Sequence, residues 1–123
     1  MSKFLDLLLR PELPDLLNDL PKKQVEVPRL SKLVGEPVIF DLHGLPYGRV
    51  QDLQKMNGDT EMHVLLAGCD DLRAPQLMTR FDVKTPAEAV KRLLLPGEVA
   101  DLSHEVEKLC GFRMNTIKEV KND

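Results

Sequence analysis

Nine prolines divide this chain, and their positions limit it to short elements. A proline ring fixes φ and removes a backbone donor, so it starts or stops a helix and is confined to the edge of a sheet. Pro11, Pro14, Pro21, Pro28, Pro37, Pro46, Pro75, Pro86 and Pro96 punctuate apolar runs along the whole length. The core therefore has to be assembled from many small pieces, and 123 residues suit one such core. Leucine is by far the commonest apolar residue, with 22 copies, while aromatics make up only 4% with no Trp. Leucine without many β-branched or aromatic neighbours favours helices.

Three stretches of different character follow. Residues 1–22 form a leucine-rich segment: Phe4, Leu5, Leu8 and Leu9, then Leu13, Leu16, Leu17 and Leu20 at the i, i+3, i+4, i+7 spacing of one helix face. Ser2 is placed to cap the first piece and Pro21 to stop the second. Helices this short are marginal alone, so their leucine faces must dock on the home domain or on another chain. Residues 23–123 make the main domain. It opens with the alternation of Gln24-Val25-Glu26-Val27 and of Val38, Phe40 and Leu42, which predicts an antiparallel β-hairpin with its turn around Gly35-Glu36-Pro37 and Pro28 ending the first strand. Helical spacing returns from Leu45 onward: Val50, Leu53 and Met56 up to Asn57-Gly58; Met62, Val64, Leu65 and Leu66 up to Gly68; Leu77, Met78 and Phe81 after Pro75.

The last third carries the clearest local signals. Thr85-Pro86-Ala87-Glu88 reads as a capping box with Pro at the first helical position. Leu95-Pro96-Gly97-Glu98 ends that helix and begins another, because Pro96 disfavours the α region at Leu95 and Glu98 complements the new dipole. Val99, Leu102, Val106 and Leu109 then form a core stripe, Gly111 stops the helix, Phe112 folds back on it, and a weak last helix holds Ile117 and Val120. The expected fold is mainly α (α+β), a bundle of short helices with one N-terminal antiparallel β-hairpin.

Chemistry is sparse. His43 lies two residues from Asp41 on one strand face, which offers an enzyme reading, but no third catalytic or ligating group joins them, and no metalloprotease, nucleophile-elbow or nucleotide motif occurs. His63 and His104 read as surface or half-buried helix residues. Asp70-Asp71 supplies too few oxygens for a cation loop and reads as a turn with a helix cap at Asp71. Cys69 and Cys110 have no partners at ligand spacing and read as small reduced core residues. The expectation is no catalytic residue, no cofactor and no metal. Net charge is −3 without a basic run, which argues against nucleic acid. No run approaches the roughly 20 apolar residues of a bilayer span, and Leu7-Leu8-Leu9 is too short for a signal-peptide core.

The stretch Phe81 to Phe112, FDVKTPAEAVKRLLLPGEVADLSHEVEKLCGF, resembles the C-terminal signature of the XkdN-like tail assembly chaperones of bacteriophages and prophages. Thr85, Pro86, Glu88, Leu93, Leu94, Leu95, Pro96, Gly97, Glu98, Leu102, Leu109, Gly111 and Phe112 stand where that signature expects them, and Cys110 replaces the family's Ser. Met1 to Leu5, Val27 to Leu30, Gly35 to Val38 and Ala67 to Met78 resemble the family less specifically. Between Leu45 and Asp59 the chain departs from it, with Pro46, Gly48 and an Asn57-Gly58-Asp59 turn where a longer acidic helix is expected.

The resemblance implies a protein that is not an enzyme, binds the tape measure protein during tail morphogenesis, keeps it soluble and helps recruit tail tube subunits. It implies the cytoplasm of the bacterial host as the location and absence from the mature virion. Tape measure protein and tail tube protein are the implied partners, with self-association as a homo-oligomer a further option. Leu5, Leu8, Leu13, Leu16 and Leu17 are the candidate contacts. The competing expectation is a structural tail-completion or connector adaptor that remains in the virion.

Overall fold

The computed structural model describes residues 3–16, 19–56, 58–112 and 115–120. In chain order its elements are α1 (Lys3–Leu8), β1 (Lys22–Glu26), α2 (Pro28–Val34), β2 (Ile39–His43), α3 (Tyr47–Lys55), α4 (Thr60–Gly68), a 3-10 turn (Asp70–Arg73), α5 (Pro75–Phe81), α6 (Pro86–Leu93) and α7 (Pro96–Leu109). Among the described residues this is a mainly α fold with one small antiparallel hairpin.

The hairpin pairs Lys22 with His43 through Glu26 with Ile39. Along β2 the side chains alternate, Phe40 and Leu42 buried, Ile39 and Asp41 exposed, as the pleat requires. Its connection is not the tight turn that the alternation suggests. Residues Pro28–Val34 form helix α2, with Pro28 in its first turn rather than at a strand end, and Gly35 closes it at φ 88 with its N–H on the Ser31 carbonyl. Leu30 anchors this helix in the core, and Ser31 Oγ accepts from Val38 N at 2.9 Å, tying it to the incoming strand. A seven-residue helix with one buried side chain leaves too little periodicity to be legible.

Asp59 caps α4 by accepting from Met62 N at 3.3 Å, and α4 buries Met62, Val64, Leu65, Ala67 and Gly68. It packs chiefly on α7, which buries Val99, Leu102, Ser103 and Val106. Two glycines permit close approach to α7, Gly68 from α4 and Gly44 from the loop after β2. A Cβ on Gly68 would lie 2.5 and 2.7 Å from the two Val106 methyls, and one on Gly44 would lie 2.7 Å from the Leu109 carbonyl oxygen. β2 and the 3-10 turn cover one side of this helix pair, and α5 packs on α6 beside it.

Helix ends follow local chemistry. Thr85 Oγ1 accepts from Glu88 N at 3.2 Å and donates to Glu88 Oε1, with Pro86 in the first turn of α6. α7 ends in a Schellman turn: Gly111 has φ 96, its N–H reaches the Lys108 carbonyl, and Phe112 N reaches Glu107 O at 2.9 Å. α5 ends the same way on Asp82, whose φ is 54, with Val83 N on Met78 O.

Three expectations need correction beyond the hairpin turn. Among the described residues of 13–20 there is no helix: Pro14 cannot donate, and the segment makes only isolated turns, such as Leu13 N on Arg10 O. Ser2, Leu17 and Asn57 lie outside the described residues. Residues 115–120 are not helical, and Ile117 and Val120 are 90% and 76% exposed. Asp71 does not cap a helix; it belongs to the 3-10 turn, and Ala74 precedes α5.

Candidate functional site

The motif residues converge on a corner where α6 meets α7. Pro96 stands in the first turn of α7, which leaves Leu94 and Leu95 extended, and Leu94 turns into the core while Leu95 stays out at 52% exposure. Glu98 Oε1 accepts from Leu95 N at 2.8 Å, the return half of a capping box whose leucine cap has no oxygen to offer. Arg29, from α2, grips Glu98 with two hydrogen bonds and also donates to the Leu93 carbonyl at 3.0 Å, an orphan acceptor at the end of α6. The Arg29 hydrogen bonds hold the Glu98 carboxyl below the usual carboxylate range and raise the guanidinium.

The remaining signature residues serve the same scaffold. Leu102 is buried, and Leu109 and Pro86 are half-buried. Thr85, Glu88 and Pro96 are exposed at helix starts, and Gly111 is the left-handed stop. Gly97 is open: nothing lies within 4 Å of where its Cβ would be, so the corner does not depend on a glycine there. Arg29 is the participant that motif reasoning missed. Its local context, with Glu26 three residues before it and Lys32 three residues after, gives no sign of a partner 69 residues away.

Asp41 and His43 share a polar cleft with Lys22, Gln24, Asp70 and Asp71, yet they are not partners. Asp41 accepts from Gln24 Nε2 at 2.6 Å. His43 Nε2 faces Asp70 Oδ1 at 2.9 Å and its Nδ1 faces the Gly44 carbonyl at 2.9 Å. Both nitrogens thus point at acceptors, which suits the imidazolium and leaves no lone pair for base work. The Asp70 hydrogen bond, then the Gly44 carbonyl, push the His43 pKa up, and His43 in turn lowers that of Asp70, to which Arg73 also bonds. The cluster ties β2 to the 3-10 turn. Burial pushes the Cys69 thiol up to about 11, and burial also raises that of Cys110, so neither is an activated nucleophile.

Apolar surface is the other conspicuous feature. α1 buries none of its side chains; Phe4, Leu5, Leu7, Leu8 and Leu9 are 41–69% exposed. Leu16 is also exposed, at 61%, whereas Leu13 is half-buried in a turn. The structure therefore does not gather the candidate leucines on one continuous helix face. On the body, an apolar cleft of about 380 Å³ opens between α3, α4 and the end of α7, with Phe112 at its edge, 45% exposed.

Among the described residues no helix is long and apolar enough to cross a membrane. The fold is similar to the crystal structure of the protein YqbN, with a TM-score of 0.58 and 21% identity over 82% of this chain and 99% of that one. No curated protein matches the sequence. Residues 61–121, which hold α4 to α7 and the Arg29-locked corner, match the model of the phage XkdN-like tail assembly chaperone proteins. Through these residues the chain belongs to the phage XkdN-like tail assembly chaperone family.

Proposed function

We propose that the protein binds the tape measure protein during phage tail assembly, keeps it soluble in the host cytoplasm, and releases it as tail tube subunits assemble around it. Membership of a tail assembly chaperone family supports a role with tail proteins. The observation that carries the finer reading is α1: a six-residue helix with Phe4, Leu5, Leu7 and Leu8 exposed, held away from the core. Such a surface suits an extended helical partner, which covers apolar anchors spaced three and four residues apart. The protein works by binding, without catalysis or cofactor, and leaves the particle when the tail is complete.

Co-expression tests this. Wild-type protein should keep the tape measure protein in the soluble fraction, and the Leu5→Asp, Leu8→Asp double variant should fail to do so while its circular dichroism is unchanged. A wild type that leaves the tape measure protein insoluble overturns the function. A folded double variant that still solubilises it removes α1 from the binding surface. Purified particles should lack the protein; a fixed stoichiometry there would make it a tail adaptor instead.

A further inference from the structure

We propose that the free edge of β2 takes an extended segment of the tape measure protein as a third strand, laid in the apolar groove between that edge and α5. The partner's identity rests on the tape measure reading; the strand-accepting edge rests on geometry alone. Hydrogen-bonded and non-hydrogen-bonded pairs alternate along an antiparallel ladder. Val27 N donates to the Val38 carbonyl and Gly44 N to the Pro21 carbonyl, so Val38, Phe40, Leu42 and Gly44 turn their backbone groups toward β1. Ile39 and Asp41 therefore turn theirs to the opposite edge, where β2 has no neighbouring strand and no hydrogen bond among the described residues reaches them.

This edge is open at one end only. Beside His43 the 3-10 turn closes it through the Asp70 contact. Toward Ile39, which is 45% exposed, it opens on a groove of about 480 Å³ walled by Val38, Phe40, Leu72, Leu77 and Leu93. Native proteins usually guard an edge strand with charge. Lys22, Lys23 and Glu26 guard the outer edge of β1 in this way, whereas the β2 edge at Ile39 borders apolar walls.

The groove selects the chemistry of its occupant. An added strand alternates its side chains, one set entering beside Phe40 onto Leu72 and Leu77, the other covering Ile39. Its main chain bonds the edge, and the pocket chooses the alternate apolar residues. Asp71 is the charged residue of the lining, and it makes no ion pair among the described residues. Asp41, bonded to neutral Gln24, stands at the same end. The nearby cations are otherwise held: Arg73 and His43 by Asp70, Lys23 by Glu105, while Lys22 lies farther along, opposite His43. The accepted segment thus carries alternating apolar residues and a lysine or arginine at the Asp71 end. A helix, whose main-chain groups are already paired, cannot make these bonds, so this edge takes a different part of the client from α1.

Synthetic peptides that tile the tape measure protein test this on the full-length chain. Those with alternating apolar residues and a basic end should bind, and NMR amide exchange should show the Ile39 N–H protected by the bound peptide. Ile39→Pro deletes that outward donor and spares the β1 ladder, because proline is accepted where its missing N–H faces away from the neighbouring strand. It should weaken binding by about tenfold or more, as a peptide carbonyl left unpaired does. Asp71→Lys should weaken the same peptides, and both variants should keep wild-type circular dichroism. Leu5→Asp with Leu8→Asp should bind them at wild-type strength. No binding peptide, an Ile39 amide that exchanges freely in the complex, binding that survives both Ile39→Pro and Asp71→Lys, or loss in the α1 variant overturns the strand-accepting edge. Co-expression reads the function separately. A wild type that solubilises the tape measure protein yet binds no peptide loses only the edge, and one that binds peptides at Ile39 yet leaves the tape measure protein insoluble loses only the function.

Discussion

Arg29 and Glu98, 69 residues apart, face each other through two hydrogen bonds, Nε to Oε2 at 2.9 Å and Nη2 to Oε1 at 2.8 Å. The same guanidinium satisfies the Leu93 carbonyl and the same carboxylate satisfies Leu95 N. One pair therefore closes both sides of the α6 to α7 corner, joining the hairpin connection to the signature of the family.

Substitutions at this pair should separate charge from geometry. Glu98→Gln keeps an oxygen for Leu95 N and should lower the melting temperature less than Glu98→Ala. Arg29→Lys cannot reproduce the fork and should behave nearly like Arg29→Ala. Because the folded-state pKa of Glu98 is depressed, this contribution is present above the ordinary carboxylate value and is lost as pH falls through the folded value. Thermal melts of wild type and Glu98→Gln should converge in acid; a constant gap down to the lowest pH would refute the assignment.

Gly68 should be the least tolerant glycine in the α4 and α7 contact. Gly68→Ala drives a Cβ into the Val106 methyls and should cost roughly 1–3 kcal/mol. Val106→Ala alone should cost about 2 kcal/mol through its cavity, and the double variant should cost less than the sum. Gly97→Ala, with open space around it, should be near neutral. Denaturant melts that show strict additivity would place Gly68 and Val106 out of contact.

Ser103 is 0% exposed and its Oγ has no hydrogen-bond partner in the protein. Removing a buried, unsatisfied hydroxyl relieves its desolvation penalty, so Ser103→Ala should stabilise by about 1 kcal/mol. A destabilisation of similar size would mean that the hydroxyl is satisfied by a buried water.

The His43 and Asp70 tie should act in a defined pH window. His43 titrates above its ordinary value of 6.5, so its contribution is complete below that value and fades as pH rises through the folded pKa. Asp70 is depressed below 3.8, so its contribution fades as pH falls through the folded value. Both side chains are partly solvated, at 31% and 67% exposure, which limits the pair to about 0.5 kcal/mol. Imidazole proton shifts followed by NMR should report the raised value, and Asp70→Asn should return it toward 6.5; an unmoved midpoint would dissociate the two groups.

Leu102→Ala should cost roughly 2–5 kcal/mol as a buried leucine, and Leu109→Ala, half-buried, clearly less. Equal and negligible losses in urea melts would place the stripe at a surface.

What the sequence determined alone is the punctuation. Pro75, Pro86 and Pro96 begin helices, and Gly111 ends one with positive φ, because a fixed φ, a missing donor or a missing Cβ acts on the backbone within one or two residues. The alternation of Phe40 and Leu42 and the stripe of Leu102 and Val106 were legible for the same reason: each period records one buried face. Only the tertiary structure decided that Pro28 starts a helix inside the hairpin connection, that Arg29 locks Glu98, and that His43 turns to Asp70 rather than Asp41. It also decided that Leu13 and Leu16 form no helix face while α1 stays exposed. Those outcomes depend on partners that are distant along the chain, and a local pattern carries no record of which distant group will arrive to satisfy a charge, an orphan carbonyl or an apolar surface.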